Sequence, residues 1–215
     1  MDILETMRAR HSIRAYVQRQ VPKEMIEAVL KAAILAPSAL NLQPWEFYIV
    51  MGEEKNRLSR ALLKAFREKQ IKCGSGTDKP LPERRSRFFK SESYLETLKQ
   101  MGLTFEQYVN EGSCDFYGAP TAIVICMDKN HPDIRFLDIG IVLGYILLSA
   151  HAFRLATCPI GLIAAYSDEV KDVLSIPENK EVIISIALGY PDQENQLNNY
   201  RSSREDLVEF THWID

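Results

Sequence analysis

The stretch Ala36-Pro37-Ser38-Ala39-Leu40-Asn41-Leu42-Gln43-Pro44-Trp45-Glu46-Phe47 decides how this chain is read. Before it, Met25, Ile26, Val29, Leu30, Ala33 and Ile34 recur at helical spacing, from Pro22 at a favoured first-turn position until Pro37 ends the pattern. After it, residues 47–50 read as a short apolar strand. The loop between them is polar and stiffened by Pro37 and Pro44. Ser38, Asn41 and Gln43 place a hydroxyl and two amides on it, groups that can meet the edge of a planar heterocycle. An ordinary helix-to-strand connection has the same composition, and that reading stands beside the first.

Working outward, the order is helix, helix, strand, helix, an irregular excursion, strand, long helix, short helix, strand and tail, which means an α+β or α/β domain. Residues 121–127 and 182–188 are almost continuously apolar and rich in β-branched side chains, as strands covered on both faces are, and belong at the centre of the sheet. The long helix over 136–155 carries Leu137, Ile141, Leu148 and Ala152 on one side, but Val142, Ile146 and Leu147 make it apolar nearly all round. Such a helix is buried, and a dimer interface is one place for it.

Three further segments carry chemistry. Arg8-Ala9-Arg10-His11-Ser12-Ile13-Arg14 crowds three arginines, a histidine and a hydroxyl after a short amphipathic helix. Guanidinium forks grip phosphate oxygens in bidentate fashion, so the cluster suits a mononucleotide phosphate; a solvated helix end with arginines at its negative pole is the rival reading. For His11 a core or capping role competes as well. Ala156-Thr157-Cys158-Pro159-Ile160-Gly161-Leu162 reads as a break after the long helix, where Pro159 and Gly161 leave backbone amides free to lie against a flat ligand. Tyr200-Arg201-Ser202-Ser203-Arg204 adds a second pair of arginines near the end of the chain.

Taken in order, the Arg-His-Ser-Ile-Arg start, the Pro-Ser-x-x-Asn-x-Gln-Pro-Trp loop, the Cys-Pro-Ile-Gly turn, the Ala-Leu-Gly-Tyr-Pro strand end and the terminal Arg-x-x-Leu resemble the nitroreductase family of FMN-dependent flavoproteins, nitrobenzoate-reductase-like members included, over residues 1–60 and 120–215. The resemblance implies an α+β nitroreductase-like fold: a central mixed β-sheet flanked by helices, in an intertwined homodimer with C-terminal arm exchange. It makes residues 1–215 a single FMN-binding domain, with 64–118 a variable excursion or lid and 191–215 an arm. It puts Arg10, His11, Ser12 and Arg14 at the FMN phosphate and ribityl chain, with Arg204 and Arg201 closing on the phosphate. Pro37, Ser38, Ala39, Asn41 and Gln43 would reach the flavin from the neighbouring subunit, and Pro159, Ile160, Gly161 and Leu162 would line its face and edge. Gly144-Tyr145 stands where many relatives have Gln-Asn, and Ala39 where some have serine.

The implied activity is ping-pong transfer of hydride from NADH or NADPH, through FMN, to an electron-poor nitroaromatic or quinone. No protein nucleophile is expected: Ser12 and Cys158 have no histidine–carboxylate orienter at a partner spacing. The same scaffold could serve reductive dehalogenation or flavin breakdown, or bind flavin without catalysis.

Composition agrees. At 215 residues and 46% hydrophobic content the chain can bury a full core, and a formal charge of −3 argues against nucleic acid as a partner. No run of about 18 consecutive apolar residues and no secretory signal is read, which points to the cytoplasm without membrane association. Cys73, Cys114, Cys126 and Cys158 lack metal or disulfide spacing. Gly74-Ser75-Gly76 lacks the strand and third glycine of a dinucleotide fingerprint. Between Lys64 and Lys90 nine basic residues face three acidic ones, either a solvated face or a patch that steers anionic ligands. Phe88, Phe89, Phe105, Tyr108, Phe116 and Tyr117 would supply an aromatic lid.

Overall fold

The continuous apolar run predicted at the sheet centre is the strand β2 (Thr121–Asp128), and its alternation explains why both faces must be apolar. Ala122, Val124 and Cys126 enter one core, while Ile123, Ile125 and Met127 enter another on the opposite face. The structure, a computed structural model, describes residues 2–73 and 92–214. Beside β2 lie β1 (Glu46–Met51) and β4 (Lys180–Gly189), and β3 (Ala156–Ile160) follows β4, giving the order β1-β2-β4-β3. All three pairings are antiparallel. The expected mixed character reduces, among the described residues, to one isolated parallel bridge between Ser12 and Thr157.

Helices cover both faces. In chain order they are α1 (Ile3–Ala9), α2 (Lys23–Ala33), α3 (Gly52–Lys69), α4 (Glu92–Gln100), the short α5 (Gly112–Cys114), α6 (Phe136–Ala152) and α7 (Ser167–Leu174). One core joins α3 through Leu58, Leu62 and Phe66 to α7 through Val170. The other packs α2 through Ile26 and Val29 against α6 through Ile139, Val142 and Ile146. A third cluster, Tyr94, Leu98, Tyr108 and Leu197, seats α4 and the following π-helical stretch Gln107–Glu111. Gly189, at the end of β4, has no room for a side chain: a Cβ there would lie 2.7 Å from Pro120 Cδ and 3.0 Å from Tyr16 Cδ1.

Three expectations change. Residues 156–160 are not a helix break but the edge strand β3, with Pro159 opposite Ile186. An edge strand tolerates a proline because one side of its backbone has no ladder to satisfy. The long helix α6 is buried on only one side; Leu137 (63% exposed), Ile141 and Tyr145 leave an apolar face open, beside exposed Ile3, Leu4 and Met7 on α1. Together with Asp133–Arg135, α6 is long and apolar enough to cross a membrane, yet its inner face is built into the core around a buried Asp138. Phe116, expected in a lid, is fully buried in the α3 core. Phe88, Phe89 and Gly74-Ser75-Gly76 lie outside the described residues.

Candidate active site

Strand β3 organises the site. Its neighbour is the Arg10-to-Arg14 segment, which runs alongside it: the Ile13 N–H donates to the Thr157 carbonyl at 3.0 Å, and Ser12 bridges Thr157. Alternation then buries Ile13 in the core and leaves Arg10, Ser12 and Arg14 on the other side, next to Cys158. Residues 200–204 close over this edge. The result is a small recess of about 70 Å3 lined by Arg10, His11, Ser12, Arg14, Tyr200, Ser202 and Arg204, with three guanidinium groups and two hydroxyls of serine and no carboxylate. Burial, then the charge of Arg204, lowers the Arg10 pKa: the recess holds like charges close together. Three guanidinium groups without a carboxylate among its lining residues leave the recess positively charged.

Arg14 sits deepest. Burial works against its charge, but Cys158 and the phenols of Tyr117, Tyr94 and Tyr108 outweigh it and raise its pKa. Its guanidinium lies 5.7 Å from the Tyr117 ring centroid. Phe116 and Tyr117 both have φ of 53°, a left-handed conformation that non-glycine residues adopt only under constraint. Burial pushes the Tyr117 phenol up to about 12, and likewise raises the Cys158 thiol, so neither is ionised near neutrality.

A larger cavity of about 540 Å3 adjoins the recess through Arg10 and His11 and is lined also by His151, Arg154 and Arg201, with Asp192 as its one carboxylate. The His11 ring faces two carbonyls, Ala9 O at 3.1 Å and Asn198 O at 2.8 Å, so it braces the segment as well as lining both cavities. Burial first, and then Arg201 and Arg10, lower its pKa. Arg201 lines the large cavity rather than the recess and donates to the Asn198 carbonyl at 3.3 Å.

Past β3 the chain turns into a 3-10 helix, Gly161–Tyr166. Ile160 and Leu162 are buried in the core, so of the four residues expected at a ligand face half-buried Pro159 offers its ring and exposed Gly161 its bare backbone. The space where Gly161 would carry a Cβ is open.

The Ser38-to-Gln43 loop is not here. It is fixed at the start of α6, where the Ala39 N–H donates to Asp138 Oδ1 at 3.3 Å and Asp138 pairs with Arg135 at 3.1 Å. The recess and its neighbouring cavity lie at the other end of α6, near His151 and Arg154. A 17-residue helix separates those ends by about 25 Å. Within the loop, the Gln43 N–H donates to Ser38 Oγ at 3.0 Å, and the Gln43 amide reaches Asn41 Oδ1 at 3.3 Å. Leu40, Asn41 and Gln43 have φ of 53°, 54° and 46°, and Leu40 is 92% exposed. Pro37 and Ala39 are exposed and Ser38 half-buried, with Pro44 and Trp45 anchoring the loop in the core.

Comparison with known proteins decides the family. The profile of the Nitroreductase family matches residues 7–190. This chain belongs to that family. A 4-nitrobenzoate reductase of Nocardioides sp. (strain LMS-CY) is 29% identical over 216 residues, covering 94% of this chain and 85% of its own. The crystal structure of the FMN-dependent nitroreductase NfnB from Mycobacterium smegmatis in complex with NADPH superposes with a TM-score of 0.82 at 28% identity, covering 100% of both chains. An FMN and NADPH-dependent NfnB mutant of Sphigopyxis sp. strain HMH reaches a TM-score of 0.88 at 23% identity over 99% of each chain, a likeness of fold.

For a member of this nitroreductase family, two residues that sequence patterns missed matter most. Asn198, between β4 and Arg201, is buried and joins the two arginine segments. Asp138 anchors the loop; a lone carboxylate three residues after Arg135, in an otherwise apolar helix, is the signal that could have found it. Of the basic patch, Lys64, Lys69 and Lys72 are paired with Glu68, Glu169 and Glu106, and the part from Lys79 to Lys90 lies outside the described residues.

Proposed function

We propose that this chain is an FMN-dependent oxidoreductase that accepts hydride from NADH or NADPH and passes it to an electron-poor small molecule, a nitroaromatic or quinone. The observation that carries the reading is the carboxylate-free recess of Arg10, Ser12, Arg14 and Arg204 against the end of β3 in a nitroreductase-family chain. FMN fits it: three guanidinium groups suit a phosphate, and the edge beyond offers backbone and an open glycine to a flat ring. Bound FMN supplies the hydride chemistry, as cofactors do, and the chain supplies position and electrostatics. Arg10, Ser12 and Arg204 hold the phosphate, and His11 and Arg201 border it. Arg14, held among phenols, favours negative charge on the ring side, and the backbone of Pro159, Ile160, Gly161 and Leu162 lies along the flavin. Neither Ser12 nor buried Cys158 is asked to act as a nucleophile.

The site takes its second half from another copy. Pro37, Ser38, Ala39, Asn41 and Gln43 belong to the loop held at Asp138, about 20 Å along α6 from His151, which lines the cavity beside the recess of the same chain. A two-fold axis that sets two α6 helices antiparallel brings each loop to the partner's recess and covers the open apolar face of Leu137, Ile141 and Tyr145. Beyond residue 204 the arm carries Leu207, Phe210, Trp213 and Ile214 exposed, Ile214 at 94%, which suits docking on the partner. Residues 1–215 then act as one FMN-binding domain within a homodimer. Four free cysteines fit the reducing cytoplasm.

Initial rates test the reaction order. Varying NADPH at several fixed concentrations of 4-nitrobenzoate gives parallel double-reciprocal lines if donor leaves before acceptor binds; intersecting lines contradict the two-step reading.

A further inference from the structure

The phosphate recess is assembled from two segments far apart in the chain, and one amide joins them. We propose that Asn198 is the positioning residue of the FMN-phosphate site, holding Arg10, Ser12 and Arg204 in one register before the ligand arrives. The proposal rests on the reading of that recess as the phosphate cradle.

Asn198 is 6% exposed and spends all its hydrogen-bonding capacity on this task. Its Oδ1 accepts from the Arg14 N–H at 3.0 Å and the Ala15 N–H at 3.2 Å, across 184 and 183 residues of sequence. Its Nδ2 donates to the Ala15 carbonyl at 2.9 Å and the Asp192 carbonyl at 2.8 Å. Its own carbonyl accepts from His11 Nε2 at 2.8 Å and from Arg201 at 3.3 Å. Yet Asn198 does not line the recess, so it acts through the groups it holds. Four of these bonds tie the His11-to-Ala15 segment to Asn198, and the other two hold Asn198 to Asp192 and Arg201 within the segment that carries Arg204.

The need for such a brace is electrostatic. Arg10 and Arg204 repel one another, and without an anion between them they would separate. Fixing both in place beforehand removes an ordering cost from binding. Tyr200, its ring tilted against Tyr94 of α4 at a centroid distance of 4.7 Å, steadies the same segment from the other side. Aspartate cannot replace the asparagine, because two carbonyl oxygens face its Nδ2.

The test is the ratio of affinities for FMN and for riboflavin, which lacks only the phosphate, measured by flavin fluorescence on the cofactor-stripped full chain. In the wild type FMN binds more tightly by about a hundredfold, as two charge-assisted contacts would give. In Asn198→Ala the FMN dissociation constant rises about tenfold while riboflavin changes by less than about twofold. Equal weakening of both ligands, or no change in either, overturns the positioning role. If Asn198→Ala does not fold, Asn198→Ser, which retains a hydroxyl, is read in the same way; failure of both to fold means that Asn198 holds the fold rather than the cradle, and the proposal falls. A wild-type ratio near one would instead sink the phosphate reading beneath it.

Discussion

At the scale of single residues the recess is a contest between repulsion and preorganisation. Arg10 and Arg204 share it without a carboxylate, so each has more to gain from a bound dianion than from its present neighbours. Arg204→Ala therefore weakens FMN about tenfold to a hundredfold, the loss of one charge-assisted contact, and equilibrium dialysis measures it. Histidines set the response to pH. His11 and His151 both lie below the usual histidine value, chiefly through burial and further through Arg10 and Arg201. The unfolded chain then binds these protons more readily than the folded one, so the associated stability is present above about pH 6.5 and is lost as pH falls. The melting temperature of the cofactor-free protein should drop between pH 7.5 and 5.5, and the double change His11→Asn with His151→Asn should flatten that drop. An unchanged slope would locate the proton uptake elsewhere.

At the scale of elements, the loop before β1 and the strand β3 carry the two halves of the proposed site. Leu40 pays for its left-handed backbone, and glycine adopts that conformation freely. Leu40→Gly should stabilise the cofactor-free chain by about 0.5–1 kcal/mol, a rise of about 1–4 °C in Tm. It should also weaken the dimer by removing a leucine that is 92% exposed in one chain. Thermal melts and sedimentation read the two effects apart. These elements also show what the sequence could and could not reveal. Arg10, Ser12 and Arg204 stood out in the sequence because arginine brings distinctive local chemistry, and the structure gathers them in one recess, whereas the loop residues lie apart from it. The strands β2 and β4 were legible because a sheet covered on both faces must be apolar at every position. Strand β3 was not, since Pro159 and Gly161 look like a break until its place at the sheet edge is known. Nor was Asn198, whose role depends on partners more than 180 residues away.

At the scale of the whole molecule, the proposed homodimer, with the loop of one chain completing the recess of the other, would make catalysis a property of two chains. Complementation follows. An Arg10→Ala, Arg204→Ala chain and a Ser38→Ala, Asn41→Ala chain are each nearly inactive, but subunit exchange between them restores about a quarter of wild-type sites, because half of the dimers are mixed and each has one intact site. Recovery near zero would place both halves within one chain. On the open face of α6, Ile141→Lys should yield monomers by light scattering, with loss of flavin alongside.

Whether this chain holds FMN and passes electrons to it from a reduced nicotinamide is read from the absorbance spectrum of the purified, FMN-reconstituted protein, followed anaerobically as NADPH and then NADH is added. Flavin bands should bleach within seconds and return when 4-nitrobenzoate is introduced. A chain that takes up no FMN, or whose bound flavin stays oxidised with both donors, would contradict the proposed function.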